Sequence, residues 1–164
     1  MVRFKNRWLL VEFMTFPTDT KETEAPLGGK QIYTALKQSV IANFGDVGWG
    51  AVGSSLTVKY FSPATNICII RVARDHYRTA WGAITLLRNI DGHLVIPHVV
   101  HCSGTIKHTQ LAAIQHNREI IALLRAHNQR GVNGASTKFS WTGISDSYET
   151  LLQKITEEIQ SLQD

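Results

Sequence analysis

Two hydrophobic periods alternate along this chain, and their order restricts the fold more than any other feature. From Arg7 to Thr15, Leu9, Val11 and Phe13 interleave with Trp8, Leu10, Glu12 and Met14. That is the two-residue repeat of a strand with one wholly apolar face and one mixed face. Pro17 to Gly29 is polar, with two prolines and a Gly-Gly pair, and reads as a loop. From Lys30 to Phe44, residues Ile32, Tyr33, Leu36, Val40 and Phe44 recur at helical spacing, and Gly45 supplies a stop. Gly48 to Gly53 is glycine-rich and reads as loosely structured. Ser55 to Phe61 alternates again, with Leu56, Val58 and Tyr60 inward, and residues 62–66 form a turn. Ile67 to Arg74 is the most β-branched run, which predicts an inner strand paired with the one before it.

Asp75 is placed to cap a helix whose buried stripe is Tyr77, Ala80, Trp81, Ile84 and Leu87. Asp91-Gly92 then turns the chain into a last strand, Leu94 to Cys102. The order β-α-β-β-α-β predicts an α+β, ferredoxin-like sandwich of four antiparallel strands with two helices packed on one face. Two C-terminal helices come after it. The first runs from Ile106 to about Asn128 and aligns Ile106, Gln110, Ala113, Ile114, Asn117, Ile120, Ile121 and Leu124. The last, Ser147 to about Leu162, carries Tyr148, Leu151, Leu152, Ile155, Ile159 and Leu162 on one side, with Asp146 and Glu149 spaced as a capping box. The chain therefore divides into a domain over residues 1–128 with a basic N-terminal arm, a linker over 129–146 and an amphipathic helix over 147–164. That helix must bury its stripe on the body or on a partner.

With 43% hydrophobic and 18% charged residues, 164 residues suffice for one real core. No apolar run approaches the roughly 20 residues of a membrane span, so no membrane partner is expected. Glu12 interrupts the apolar stretch behind the basic start and no small-residue cleavage site comes after it, so no secretory signal is expected. Cys68 and Cys102 belong to no C-x-x-C pair, which predicts a reduced intracellular setting and no structural zinc. Charge is unevenly placed. Residues 1–130 hold 15 Lys/Arg and 8 Asp/Glu, whereas residues 131–164 hold 2 and 5. A basic body with an acidic tail suits a polyanionic partner, although ordinary solubility charge gives the same count.

Five of the seven histidines, His93, His98, His101, His108 and His116, lie within 24 residues. His98 and His101, three apart on a strand, are expected on opposite faces, and His108 and His116 are too far apart along a helix to share an ion. No metal site is expected. His101-Cys102-Ser103 matches one half of a paired H-x-[ST] phosphoesterase device, and a second triplet of this kind is absent. No G-x-S-x-G elbow or P-loop is present either, so no catalytic residue is assigned. The nucleic-acid features are stronger. Arg3, Lys5 and Arg7 alternate with Phe4 and Trp8, cations on one side and aromatics on the other. Arg71 and Arg74 close the inner strand, with Lys59 on its neighbour. The inner strand lacks the stacking aromatics of an RNA-recognition motif. Ser103-Gly104-Thr105-Ile106-Lys107 leaves a strand and enters a helix, which suits a capped, phosphate-attracting helix start reinforced by Lys107. The mixed face of the first strand, with Trp8, Leu10 and Met14, is a candidate protein-partner surface.

The opening decamer Met1-Val2-Arg3-Phe4-Lys5-Asn6-Arg7-Trp8-Leu9-Leu10 resembles the start of the Pop-five family, the fifth "processing of precursors" subunits of eukaryotic ribonuclease P and ribonuclease MRP. Lys59-Tyr60-Phe61-Ser62, Ile70-Arg71-Val72-Ala73-Arg74 and Val99 to Leu124 with its Ser-Gly-Thr-Ile-Lys segment are similar too, so the likeness spans about residues 1–128. It implies a ferredoxin-like protein that does not cut RNA itself and holds no cofactor, the catalytic magnesium sitting on the RNA subunit. It implies a nuclear and nucleolar particle that matures precursor tRNA and processes rRNA. The partners it implies are the catalytic RNA, a larger TIM-barrel-like subunit of the Rpp-one or Rpp-thirty kind and other particle proteins, with precursor tRNA as a candidate. Arg3, Phe4, Lys5, Arg7, Ser103, Thr105 and Lys107 carry over as RNA contacts, joined by Lys59, Arg71, Arg74 and Gly104. His101-Cys102 departs from the apolar or small pair usual in the family, and residues 129–164 carry no role over. A phosphoesterase using His101 and a protein-only adaptor are the competing readings.

Overall fold

The computed structural model describes residues 5–15, 27–130 and 148–163. Strand β1 is Asn6–Thr15, helix α1 Gly29–Val52, β2 Thr57–Ser62 and β3 Ile67–Ala73. A 3-10 turn at Arg74–His76 leads into α2, Tyr77–Thr85. Then come β4 (Asn89–Ile90), β5 (His93–Ser103), α3 (Ile106–Arg130) and α4 (Tyr148–Gln160). The strands form one antiparallel sheet in the order β2-β3-β1-β5-β4. Its four long strands have the order that a split βαβ unit requires. The fifth is a two-residue edge that the Asp91-Gly92 turn folds against His93 and Leu94.

Helices α1 and α2 cover one face, as expected. Leu9, Val11 and Phe13 of β1 and Cys68, Ile70 and Val72 of β3 meet Ile32, Leu36, Ala80 and Ile84 there, all buried. At about 25 cal/mol per Å² of apolar surface removed from water, this layer dominates the stability of the fold. Helix α1 does not stop at Gly45. That glycine takes a left-handed φ of 68° and kinks the helix, a conformation an L side chain disfavours. The helical path then resumes through the glycine-rich stretch expected to be loose, because Val52 reaches the core and the Trp49 ring packs edge-on against Tyr33. In α2 the buried stripe is Ala80, Ala83 and Ile84, with Leu87 just beyond its end, while Trp81 turns outward. Asp75 lies inside the 3-10 turn and makes no cap.

The second face is also covered. Helices α3 and α4 lie on it, and Trp8, Leu10, Ile67 and Ile69 pack beneath Ala113, Ile114, Ile155 and Ile159. The last helix therefore buries its stripe on the body. Helix α3 runs to Arg130, two residues into the expected linker, and residues 131–146, with the capping residue Asp146, lie outside the described residues. Trp8 and Leu10, expected at a partner surface, are instead fully enclosed core residues. The mixed face of β1 is apolar where α3 and α4 cross it and polar beyond, and of the three residues expected to meet a partner only Met14 is exposed.

Two bulges revise the expected faces. Lys59 is an extra residue in β2, since Val58 pairs with Ile70 while Tyr60 pairs with Ile69. Val58 thus joins the first core and Tyr60 the second, although strict alternation puts both inward together. Val100 is the extra residue in β5, for Val11 faces Val99 while Leu10 faces His101. A bulge flips the parity of every later residue in its strand. His98, opposite Glu12, and His101, opposite Leu10, therefore share the α3 face, against the expectation of opposite faces. Among the described residues, no group of three or more His, Cys, Asp or Glu is placed to hold a metal ion.

Candidate nucleic-acid interface

Residues paired across antiparallel strands share a face, so the register sorts the α3/α4 side of the sheet into rows. Thr57, Arg71, Trp8 and Ser103 form the row at the end where β1 begins. Tyr60, Ile69, Leu10 and His101 form the next, and Ser62, Ile67, Glu12 and His98 the third. The first row is where the cations gather. Arg71 is half-buried, and its Nε has no hydrogen-bond partner among the described residues. Lys59, pushed out by the bulge, holds its Nζ 5.9 Å from the centre of the Trp8 ring, a cation–π contact that fixes its direction.

Arg7 lies at the same end but on the other face, opposite Val72. Its guanidinium sits 6.0 Å from the centre of the Tyr77 ring, and a Cβ added to Gly104 would come within 3.1 Å of its Nη1. Gly104 is thus the residue that lets Arg7 reach the mouth of α3. Burial pushes the Cys102 thiol pKa up, and the nearby Arg7 charge pulls it partway back. Lys5 is exposed and its carbonyl accepts the backbone N–H of Arg74 at 2.8 Å, which ties the described start of the chain to the end of β3. Arg74 and Lys107 are both exposed.

The start of α3 is built as its sequence predicts. The buried Ser103 accepts the Thr105 N–H on its Oγ at 3.2 Å, and Thr105 Oγ1 accepts the His108 N–H at 3.5 Å. Ser103 therefore has a structural task, while Gly104, Thr105 and Lys107 remain open to solvent. Lys5, Arg7, Lys59, Arg71, Arg74 and Lys107 come from four separate segments and converge on one end of the sheet. Arg3 and Phe4 lie outside the described residues.

Several polar groups on this face escape a reading of the sequence. Glu12 accepts from His116 Nε2 at 3.0 Å, with His98 Nδ1 at 3.9 Å, pinning α3 across β1 and β5. The Tyr60 hydroxyl donates to Glu158 of α4 at 3.0 Å. Desolvation, followed by that carboxylate, raises the Tyr60 pKa. Asn117 is fully buried, and neither atom of its amide has a partner among the described residues. By periodicity Asn117 and Glu12 are only breaks in a stripe. Tyr77 reads by the same periodicity as core alone, although one side of its ring meets Arg7.

The chain matches the model of a protein family described as the Rpp14/Pop5 family over residues 7–114. It is 46% identical over 132 residues to "Ribonuclease P/MRP protein subunit POP5" of Schizosaccharomyces pombe, covering 74% of this chain and 91% of that one. It is 35% identical over 122 residues to "Probable ribonuclease P/MRP protein subunit POP5" of Arabidopsis thaliana, covering 73% and 81%. The human protein named as the same subunit is 27% identical over 143 residues, covering 84% and 86%. Among solved structures, a chain of the cryo-EM structure of yeast ribonuclease MRP superposes with a TM-score of 0.52, covering 98% of this chain and 95% of that one. At 13% identity that likeness speaks for the fold.

Proposed function

This chain belongs to the Rpp14/Pop5 family, and on that premise we propose that it is a protein subunit of ribonuclease P and ribonuclease MRP. Its basic sheet end holds the phosphates of the particle's RNA. The observation that carries this reading is the convergence of Lys5, Arg7, Lys59, Arg71, Arg74 and Lys107 on one end of the molecule, beside the exposed Gly104-Thr105 helix start. Neutralising phosphates with fixed cations gives affinity without sequence information, which is what a scaffold for a folded RNA needs. Lys59 and Arg7, each braced by an aromatic ring, lose less freedom on binding than free side chains would.

The protein is a non-catalytic subunit in this account, and the magnesium ions of catalysis sit on the RNA. Ser103 of the H-x-S triplet is buried and caps α3, which favours a structural use for that residue. The working place is the nucleus, including the nucleolus. Its partners are the catalytic RNA and a larger TIM-barrel-like subunit, and its output is 5′-matured tRNA and processed rRNA. Affinity purification of the tagged full-length chain tests the reading. The RNA components of both particles should be recovered, and recovery should fall when Lys59, Arg71, Arg74 and Lys107 are replaced together by alanine. Recovery of protein partners without RNA would contradict it. Cleavage of precursor tRNA by the purified chain alone would contradict the non-catalytic assignment.

A further inference from the structure

We propose that the C-terminal end of α4 is a built-in anionic competitor of RNA at the basic end of the sheet. The inference rests on the RNA-binding reading of that end and adds a regulation to it. Helix α3 starts at the first row and reaches Glu12 in the third through His116. Helix α4 runs back antiparallel to it. Gln110, in the second turn of α3, donates through Nε2 to the carbonyls of Ile159 at 2.7 Å and Leu162 at 3.0 Å. Helix α4 therefore ends over the first two rows. Its Glu158 is bonded to Tyr60, the residue after Lys59, and Tyr60 pairs with Ile69, two positions before Arg71. Glu157, on the same turn, is exposed on the side away from Ile155 and Ile159 and accepts from Gln153 Nε2 at 3.1 Å, so its charge acts on that end only through solvent.

Two sources of negative potential meet there. The C-terminus of a helix carries a partial negative charge, and two carboxylates lie within its last turn. On the sheet beside the Tyr60 that holds Glu158 lie a half-buried guanidinium whose Nε has no partner among the described residues and an ammonium held over an aromatic ring. Among the described residues no ion pair links Glu158 to Lys59 or Arg71, so these cations stay available to a ligand. A phosphate backbone that makes several contacts outcompetes this cover, whereas a ligand offering one or two phosphates does not. The cover thus favours long structured RNA over adventitious anions.

The test uses the full-length chain and a labelled transcript of the particle RNA, titrated at 50 and 300 mM salt. Glu157→Gln with Glu158→Gln leaves a hydrogen-bond acceptor for Tyr60 and removes both charges. Each exposed charge acts weakly through solvent, so affinity at low salt should rise by about 3- to 10-fold, and the gain should shrink at high salt. A thermal melt on each variant checks that α4 remains folded. In a Lys59→Ala/Arg71→Ala background the same glutamine pair should give no gain. A gain that survives there, or unchanged affinity of the glutamine pair on the intact background, overturns the proposal. Unchanged affinity of Lys59→Ala/Arg71→Ala alone overturns instead the reading of the site on which it rests.

Discussion

The two faces of one sheet are both buried, yet they are built of different material. Beneath α1 and α2 the layer is apolar from Phe13 through Cys68 to Ile84, and the buried Ser39 between the two helices is paired, donating to the Ala83 carbonyl at 2.7 Å. Beneath α3 and α4 the centre is equally dry at Leu10 and Ile69, but polar groups ring it: Arg71, Ser103, Asn117 and the Glu12–His116 pair. Apolar packing is non-directional and strong, so the first face can specify the fold without help. Polar groups under a helix cost free energy unless they are paired. Their presence on the second face marks the side where stability yields to another task. Lys59 and Arg71 lie at its edge, with Arg7 at the same end of the sheet on the other face.

The sharpest way to break this contrast is to open each face in turn. Phe13→Ala should destabilise the whole domain by about 3–5 kcal/mol, read as a lowered denaturant midpoint. Ile159→Ala should cost about 2–5 kcal/mol by the same rule. Its loss should be confined to α4, whose amides then exchange with deuterium while β1 and β3 stay protected. Simultaneous exchange of both would mean a single core, and the distinction between the faces would fall. Asn117→Leu sharpens the contrast from the other side. Filling the site with an apolar side chain of similar size should raise stability by about 1–3 kcal/mol, since it removes an unpaired buried amide. A lower stability would show that the amide has a buried partner.

A smaller effect separates the faces by pH. Burial raises the pKa of Cys68, on the first face, so the native state keeps its thiol proton after the unfolded chain has begun to lose it. The stability this contributes is whole below the ordinary thiol pKa of about 8.5 and declines as pH rises above it, at up to about 1.4 kcal/mol per pH unit. Cys68→Ala should flatten the decline between about pH 8.5 and 9.5. Tyr60, on the second face, is raised from 10.0 by desolvation and by Glu158, and its contribution declines only above about pH 10.

Much of the first face was legible in the residues. The alternation of Leu9, Val11 and Phe13 and the β-branched run from Ile67 place the sheet, and the helix spacing after Lys30 and Asp75 places its cover. The second face was hidden for two physical reasons. Glu12 and Met14 made the mixed side of β1 look solvent-facing, and only tertiary packing of α3 and α4 shows that Trp8 and Leu10 are enclosed. The bulges at Lys59 and Val100 are set by register, which no single strand's pattern encodes, and they decide which way Tyr60 and His101 face. The cations of the site were legible as residue types near strand ends. Their convergence, and the bracing of Arg7 by Tyr77 and Gly104, belongs to the fold.

The most direct measurement is the salt dependence of affinity for the particle RNA, wild type against a chain with Lys59, Arg71, Arg74 and Lys107 all replaced by alanine. If this end of the sheet grips phosphates, the log–log slope should become shallower by about 0.7 to 0.9 for each phosphate no longer neutralised, with the denaturant midpoint nearly unchanged. Two parallel lines would place the RNA elsewhere on the molecule and contradict the account.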